Sequence, residues 1–302
     1  MSKRKINKYL LPAATVICVI VAVILWSFRD AGSAGDREAV MPPAGMFEWN
    51  EDTIGHVDDA LRLIDALPIT RWYQEVDENL DADAIRSFIR TLGRQGVRVY
   101  ALIGSVEWGF EADARSLIGQ LKTIVQYNEN VRADERFYGI MLDIEPYTTQ
   151  RWKAAPEESM ETYVNSMRSA YRFLYGTDLR TALCIPRHYD DQELMDGLEA
   201  LIRDCCDEVA VMDYDCGNEV EKIRNEKSLA QKYGKELHCI LEFQEVGKHG
   251  LTEDKTYGNK GLEAADAVWN TMQEMYADTV IVRDYHWAQP VAGMLEEVEN
   301  AD

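Results

Sequence analysis

Carboxylates near the ends of apolar runs are the residues of this sequence best suited to chemistry. In the segment 138–147, which reads YGIMLDIEPY, Asp143 precedes Glu145 by two residues. Because side chains of a strand alternate between its two faces, both carboxylates point the same way, and repulsion or partial burial then raises the pKa of one. A general acid that stays protonated near neutral pH needs that situation. The alternative is that both acids form ion pairs with a basic residue such as Arg187.

Glu242 is a third candidate, since it lies near the end of the otherwise apolar run 236–243. If Glu242 faces Glu145 across a site, the gap between the two carboxyls decides the chemistry of glycosidic bond cleavage. A gap of about 5 Å suits a carboxylate nucleophile, and about 6.5–9.5 Å leaves room for an attacking water. The sequence leaves this gap open, and the alternative is an acid that only supports another group.

Aromatic and polar residues occupy similar positions after other apolar runs. Aromatic rings there can stack on the apolar faces of sugar rings, and acids accept hydrogen bonds from sugar hydroxyls. A single tryptophan is more often explained by packing, but four at such positions favour a binding rim. The substrate-binding candidates are Trp49, Trp72, Trp108, Tyr147, Arg187, Asp213, Asp215 and Trp287.

Eight short apolar runs would bring these candidates together. They are nearly continuous in apolar character, as strands buried on both faces should be, and lie at 45–49, 69–73, 97–104, 137–144, 180–186, 208–214, 236–243 and 279–285. Segments with helical spacing separate them. Pro156, followed by two glutamates, suits a helix start, and Gly176 and Gly234 suit helix ends.

Strand and helix in alternation predict parallel pairing with right-handed crossovers. The predicted fold class is therefore α/β, a closed (βα)8 TIM barrel over residues 44–302, because eight units in about 255 residues fit that fold better than an open sheet. In a TIM barrel the active site forms at the C-terminal ends of the strands, where the candidates fall.

The fourth run resembles the DxxDxDxE-type strand of family 18 glycosidases, the chitinase-like barrels. Asp143 and Glu145 match its last two acidic positions, whereas Tyr138 and Met141 stand where that family has its earlier aspartates. The resemblance implies that Glu145 protonates the leaving group.

Two further segments carry the same resemblance. Residues 211–215, VMDYD, are similar to the sixth-strand Met-x-Tyr-Asp segment of that family, and Trp287 falls where its eighth-strand tryptophan forms the pocket floor. The resemblance implies that Asp143 and Tyr214 position a substrate N-acetyl group, which serves as nucleophile.

The pair Glu145-Pro146, together with Glu242-Phe243, also resembles the retaining glycosidases of the large clan that includes cellulases and mannanases. That resemblance implies Glu145 as acid/base and Glu242 as nucleophile, although Ile144 replaces the asparagine that usually precedes the acid/base. The two resemblances agree on the proton donor and differ on the nucleophile.

Residues 10–28 have the character of a membrane segment. They carry no charge, and 19 residues just span a bilayer core at about 1.5 Å per residue. Four basic residues precede the segment and Arg29 alone closely follows it, so residues 1–9 are predicted to be cytoplasmic and residues 44–302 to lie outside the cytosol. Residues 29–43 read as a linker. Signal cleavage near the small residues at 32–34, which would give a secreted protein, is the alternative.

Charge and cysteine usage narrow the range of partners. Fifty-three acidic against 32 basic residues give a net charge of −21, which argues against nucleic-acid binding. No CxxC pair, HExxH motif or histidine cluster indicates a metal, and no cofactor is expected. Cys184 and Cys239 lie inside apolar runs and are predicted to be small core residues.

These observations predict a membrane-anchored glycoside hydrolase that acts on an extracytoplasmic glycan. Glu145 is the expected general acid, Asp143 tunes it, and Glu242 or a substrate N-acetyl group is the nucleophile. Two alternatives remain open: a catalytically silent barrel that binds a cell-surface glycan or a partner protein, and a metal-assisted hydrolase that uses the same acids.

Overall fold

The computed structural model describes residues 42–77, 81–190 and 194–299, and the strands of these residues close into one parallel barrel. Each of the eight apolar runs overlaps one strand, which confirms the predicted (βα)8 barrel. In chain order the strands are β1 Ala44–Glu48, β2 Ile69–Glu75, β3 Arg98–Ile103, β4 Gly139–Leu142, β5 Arg180–Pro186, β6 Glu208–Met212, β7 Glu236–Glu242 and β8 Ile281–His286. The barrel closes between β8 and β1, where Asp284 pairs with Gly45.

Helices follow the strands along the chain. They are α1 Val57–Ala66, α2 Ala82–Arg94, α3 Arg115–Glu129, α4 Gln150–Ala154, α5 Pro156–Leu174, α6 Met195–Asp204, α7 Glu219–Lys222, α8 Arg224–Tyr233, α9 Leu262–Met275 and α10 Ala288–Glu299. As predicted, α5 begins at Pro156 with two acids in its first turn, where they complement the helix dipole. Helix α8 ends before Gly234, whose φ of +64° closes the helix in the left-handed conformation.

The core has two parts, because strand side chains alternate between the barrel interior and the surrounding helices. On β7, Leu237, Cys239 and Leu241 pack outward against the helices, and Ile240 packs inside the barrel. Cys184 and Cys239 are buried and unpaired, as predicted for core residues.

A polar layer fills the base of the barrel interior. Arg71 Nη1 lies 3.1 Å from Glu208 Oε2, and His238 Nδ1 lies 2.8 Å from Asp284 Oδ2. The Tyr73 hydroxyl donates to Asp284 Oδ1 over 2.9 Å. Buried charges are tolerated only when paired and hydrogen-bonded in this way.

The N-terminal predictions concern a part of the chain that the structure does not describe. Residues 1–9, the proposed membrane segment 10–28 and most of the linker 29–43 lie outside the described residues. Among the helices of residues 42–77, 81–190 and 194–299, none is both long and apolar enough to cross a membrane.

Candidate active site

The C-terminal ends of four strands bring an ionisable cluster to the barrel mouth. Asp143 and Glu145 follow β4, Tyr214 follows β6, Glu242 ends β7 and His286 ends β8. The rings of Tyr214 and His286 have centroids 6.0 Å apart. Burial, Glu242, Asp143 and Glu145 together raise the pKa of the Tyr214 phenol, so that it stays protonated as a hydrogen-bond donor. All four residues that were predicted to be catalytic therefore share one site with His286.

Gly104 allows β3 and β4 to approach closely at this mouth. The backbone N–H of Asp143 donates to the carbonyl of Ile103 over 3.0 Å. A Cβ atom at position 104 would lie only 2.1 Å from the carbonyl oxygen of Asp143, so any larger residue would displace the segment that carries the acids.

Asp143 and Glu145 favour their protonated forms. Burial and the neighbouring Glu145 raise the pKa of Asp143 to about 7, against the opposing effect of His286. Burial also raises the pKa of Glu145, although the Tyr147 hydroxyl and His286 partly offset it. Oδ1 of Asp143 is solvent-inaccessible and finds no hydrogen-bond partner among the described residues. The pair therefore holds a proton close to neutral pH.

Glu242 has the opposite environment. Its Oε1 accepts hydrogen bonds from the backbone N–H groups of Phe243 and Gln244, each over 2.8 Å. Its Oε2 accepts from the Gln244 side chain over 3.2 Å and from His286 Nδ1 over 2.9 Å. Burial would raise the pKa of Glu242, but these donors and the charge of His286 lower it. Glu242 is thus an ionised carboxylate whose two oxygens are both engaged.

His286 links Glu242 to Trp49. Trp49 Nε1 donates to His286 Nε2 over 3.0 Å, which requires a lone pair on Nε2 and leaves the ring proton on Nδ1, facing Glu242. Although burial lowers the pKa of His286, Glu242, Asp143 and Glu145 raise it overall. The Trp49 contact therefore holds the neutral tautomer, while the carboxylates favour the imidazolium, and protonation would release Trp49.

Arg187 forms an ion pair with Asp215 over 2.9 Å, and both side chains are mostly buried. The side chain that lowers the pKa values of Asp143 and Glu145 is instead His286. The alternative that both acids form ion pairs with a barrel-mouth arginine such as Arg187 is therefore not supported, because Arg187 pairs with Asp215.

A cleft of about 930 Å³ opens beside the cluster. Tyr147 and Tyr214 line it, and so does Arg187. The Tyr147 ring meets His188 edge to face, with centroids 5.1 Å apart. The aromatic residues at positions 147 and 214 connect the cleft to the acids.

The four tryptophans that were predicted at the rim do not share one location. Trp49 packs against the inner core, and Trp49 and Trp287 line a second cleft of about 730 Å³. Trp72 is completely buried against Phe88 of α2, and its Nε1 donates to Gln74 over 3.0 Å. Trp108 is half-buried against the outer core. Trp72 thus lies away from the mouth, on the outward face of β2, whereas Trp108 is in the 3-10 turn Val106–Phe110 after β3, which packs on α5 and on the turn that begins at Pro146.

Asp213 also points away from the barrel interior. It is 1% exposed, its Oδ2 lies 4.0 Å from Cys239 Sγ, and its Oδ1 finds no hydrogen-bond partner in the described part of the chain. Burial and nearby Glu219 raise its pKa strongly. Tyr214, the next residue, takes the inward position, so strand alternation separates these two neighbours.

His286, Gly104 and Cys184 belong to the site but were not among the site residues predicted from the sequence. His286 lies between two aromatic residues and belongs to no recognised motif. Strand alternation, however, places it on the same face as Asp284 at the end of an apolar run, and this could have indicated its position at the mouth. Cys184 lies close enough to Asp143 for each to shift the pKa of the other. Within the described ranges, no group of three or more His, Cys, Asp or Glu side chains is arranged to hold a metal ion.

The barrel has the fold of glycoside-hydrolase-like TIM barrels. No family model matches the chain, and no curated protein sequence is detectably similar to it. Solved structures do match. A family 18 chitinase from Pseudoalteromonas aurantia gives a TM-score of 0.55 at 11% identity, over 84% of this chain and 99% of that chain.

Two other solved structures agree with this fold. A chitinase from Chromobacterium violaceum gives a TM-score of 0.52 at 13% identity, over 85% of this chain and 98% of that chain. A structure of fungal β-1,4-galactanases gives 0.51 at 9% identity, over 81% and 89%. At these identities the likeness establishes the fold alone.

Proposed function

We propose that this protein is a glycoside hydrolase in which Glu145 is the general acid. The observation that carries the proposal is the Asp143–Glu145 pair, whose carboxyls are both biased toward protonation beside a cleft that opens at the barrel mouth. Glycosidic bond cleavage needs such a carboxylic acid to protonate the leaving oxygen. The fold shared with chitinases and galactanases supports the same reaction class.

The environment of Glu242 favours a substrate acetamido group as the nucleophile. Both oxygens of Glu242 accept hydrogen bonds, its pKa is lowered, and only 3% of the residue is exposed. A carboxylate nucleophile needs a free oxygen that can reach the anomeric carbon. In the proposed mechanism Glu242 instead orients His286, while Asp143 and the Tyr214 phenol hold the acetamido group as its oxygen attacks.

The proton balance of this step follows from the same residues. Glu145 gives its proton to the glycosidic oxygen, and the acetamido oxygen forms a cyclic intermediate at the anomeric carbon. Asp143 accepts a hydrogen bond from the acetamido N–H, which becomes more acidic as that intermediate forms. Water then opens the ring and Glu145 takes a proton back.

The substrate is accordingly proposed to be an N-acetylated, extracytoplasmic glycan, reached by a domain tethered through residues 10–28.

The test is hydrolysis of aryl and alkyl glycosides of di-N-acetylchitobiose by the full chain in detergent. Glu145→Gln is expected to lower kcat/KM by about 100-fold to 10,000-fold, with a greater loss for the poor alkyl leaving group than for the aryl one. Glu107→Gln is the matched control, because Glu107 is an exposed acid in the turn that follows β3, and it should behave as wild type.

Glu242→Gln separates the two nucleophiles. Under the acetamido route it lowers the rate without azide rescue, and substrates with a free amine in place of the acetamido group are not cleaved. Formation of a glycosyl azide by Glu242→Gln would instead establish Glu242 as the nucleophile. A wild-type protein that binds chito-oligosaccharides but cleaves no glycoside would support the silent barrel and contradict the proposed hydrolase.

A further inference from the structure

The cleft beside the acids has a charge opposite to that of the whole molecule. The chain carries a net charge of −21, with 53 acidic residues. Yet no acidic side chain lines the 930 Å³ cleft among the described residues, whereas five basic or imidazole side chains do: Lys153, Arg187, His188, His249 and Lys255. A random sample of this surface would be predominantly acidic, so the lining is selective.

These side chains come from three separate segments. Lys153 is on α4, Arg187 and His188 follow β5, and His249 and Lys255 belong to the segment between β7 and α9. Arg187 is balanced by Asp215 over 2.9 Å. Lys153 and Lys255 are exposed, and neither forms an ion pair with an acid in the described part of the chain. The two lysines therefore bring positive charge to the cleft without a salt bridge, although the charge of Lys255 also helps to lower the pKa of neighbouring Asp254.

The backbone at His249 is consistent with a binding role. His249 has a φ of +49°, in the left-handed region that a non-glycine residue occupies at a cost of about 1 kcal/mol or more. Gly247 and Gly250 beside it also have positive φ values, of +92° and +78°. Strain of this kind concentrates at binding and catalytic loops, and here it places an imidazole at the cleft.

We infer that this cleft selects a saccharide that carries negatively charged groups, either carboxylates or sulfates, next to the bond that is cleaved. The inference rests on the proposed function, because Tyr147 and Tyr214 join the cleft to Glu145. A neutral glycan can only accept hydrogen bonds from the lysines, whereas an anionic glycan also gains from their charge. An anionic glycan is repelled by the remainder of the surface, and local cations at the site overcome that repulsion and orient the ligand.

The test compares three ligands that share one β-1,4-linked backbone of four N-acetylated glucosamine units. The first is unmodified, the second carries lactyl ether carboxylates on alternate sugars, and the third carries 6-O-sulfates. Binding is measured by calorimetry on the full chain in detergent, with Glu145→Gln in every sample to stop turnover. At low salt at least one anionic ligand is expected to bind about fivefold more tightly than the neutral one, and the advantage should shrink at high salt.

Charge variants then locate the effect. The double variant Lys153→Ala/Lys255→Ala should lose the preference for the anionic ligand and keep its affinity for the neutral one. Lys122→Ala, an exposed lysine on α3, is the matched control and should keep the preference. The inference is overturned if the neutral ligand binds as tightly as both anionic ones, or if the double variant keeps the preference. A preference for anions in a wild-type protein that cleaves no glycoside would overturn the proposed hydrolase and leave this charge selection standing.

Discussion

At the scale of single residues, the carboxyl groups at the barrel mouth differ in the hydrogen-bond donors that contact them. Glu242 accepts from two backbone N–H groups, an amide and an imidazole, and its pKa is lowered. Asp143 has an oxygen with no partner within the described residues, and its pKa is raised. Acids whose environments move their pKa values apart are suited to different roles. Asp143 and Glu145 are therefore suited to carry a proton, and Glu242 to orient a neighbour.

His286→Gln tests whether the imidazole tunes the acid pair. His286 lowers the pKa values of both Asp143 and Glu145, so its removal should raise them. Activity that needs a protonated acid is lost as the pH rises through that pKa, and the alkaline limb of kcat/KM against pH should move to higher pH in the variant. The control is His56→Gln, at an exposed histidine before α1. An alkaline limb that stays in place would show that His286 does not act on the proton donor.

At the scale of elements, the order of strands was readable from the sequence, but the face of each side chain near a strand end was not. Continuous apolar runs mark strands buried on both sides, so they carry no alternation that tells inside from outside. Trp72 was therefore predicted on the wrong face: the tryptophan packs on α2, and the neighbouring Tyr73 fills the barrel interior. The same ambiguity concealed the outward position of Asp213. Asp143, Glu145 and Tyr214 were found because their motif fixed the alternation.

The close approach of β3 and β4 predicts a separable effect of Gly104→Ala. A methyl group there would lie 2.1 Å from the carbonyl oxygen of Asp143, and a backbone neighbour has no rotamer with which to move aside. The strand end must shift, so kcat/KM should fall by about tenfold or more, since catalysis tolerates misplacement poorly. Gly119→Ala on α3, which meets nothing within 4 Å, is the control and should be neutral or stabilising. Unchanged kinetics in Gly104→Ala would mean that the acids do not depend on this contact.

At the scale of the whole molecule, the barrel interior is stacked in layers with different physical roles. The base holds the network of Arg71, Glu208, His238 and Asp284. Apolar side chains lie above it, among them Phe47, Leu102, Met141 and Ile240. The acids and His286 lie at the mouth. An apolar layer between two ionisable ones lets the base be fully charged and paired for stability while the mouth keeps acids in a protonated state.

His238→Gln is predicted to destabilise the protein more at about pH 6 than at about pH 10. Burial alone would lower the pKa of His238, but Asp284 and Glu208 raise it from 6.5 to about 9. A pKa raised in the folded state means that the stabilising contribution is complete below about pH 6.5 and is lost as the pH rises through about 9. Urea unfolding of both proteins across this range should show the difference in unfolding free energy shrinking by a few kcal/mol.

Glu208 makes the stability of the same network depend on pH in the opposite direction, because its contribution is lost at low pH. Burial would raise its pKa, yet His238, Arg71 and Arg180 lower it to about 2, so its contribution is complete above about pH 4.5 and is lost as the pH falls through about 2. The network is thus fully charged between the two limits.

The control for His238→Gln is His249→Gln, at an exposed histidine, which should keep the wild-type pH dependence. A stability difference for His238→Gln that stays constant from about pH 6 to about pH 10 would contradict the raised pKa of His238.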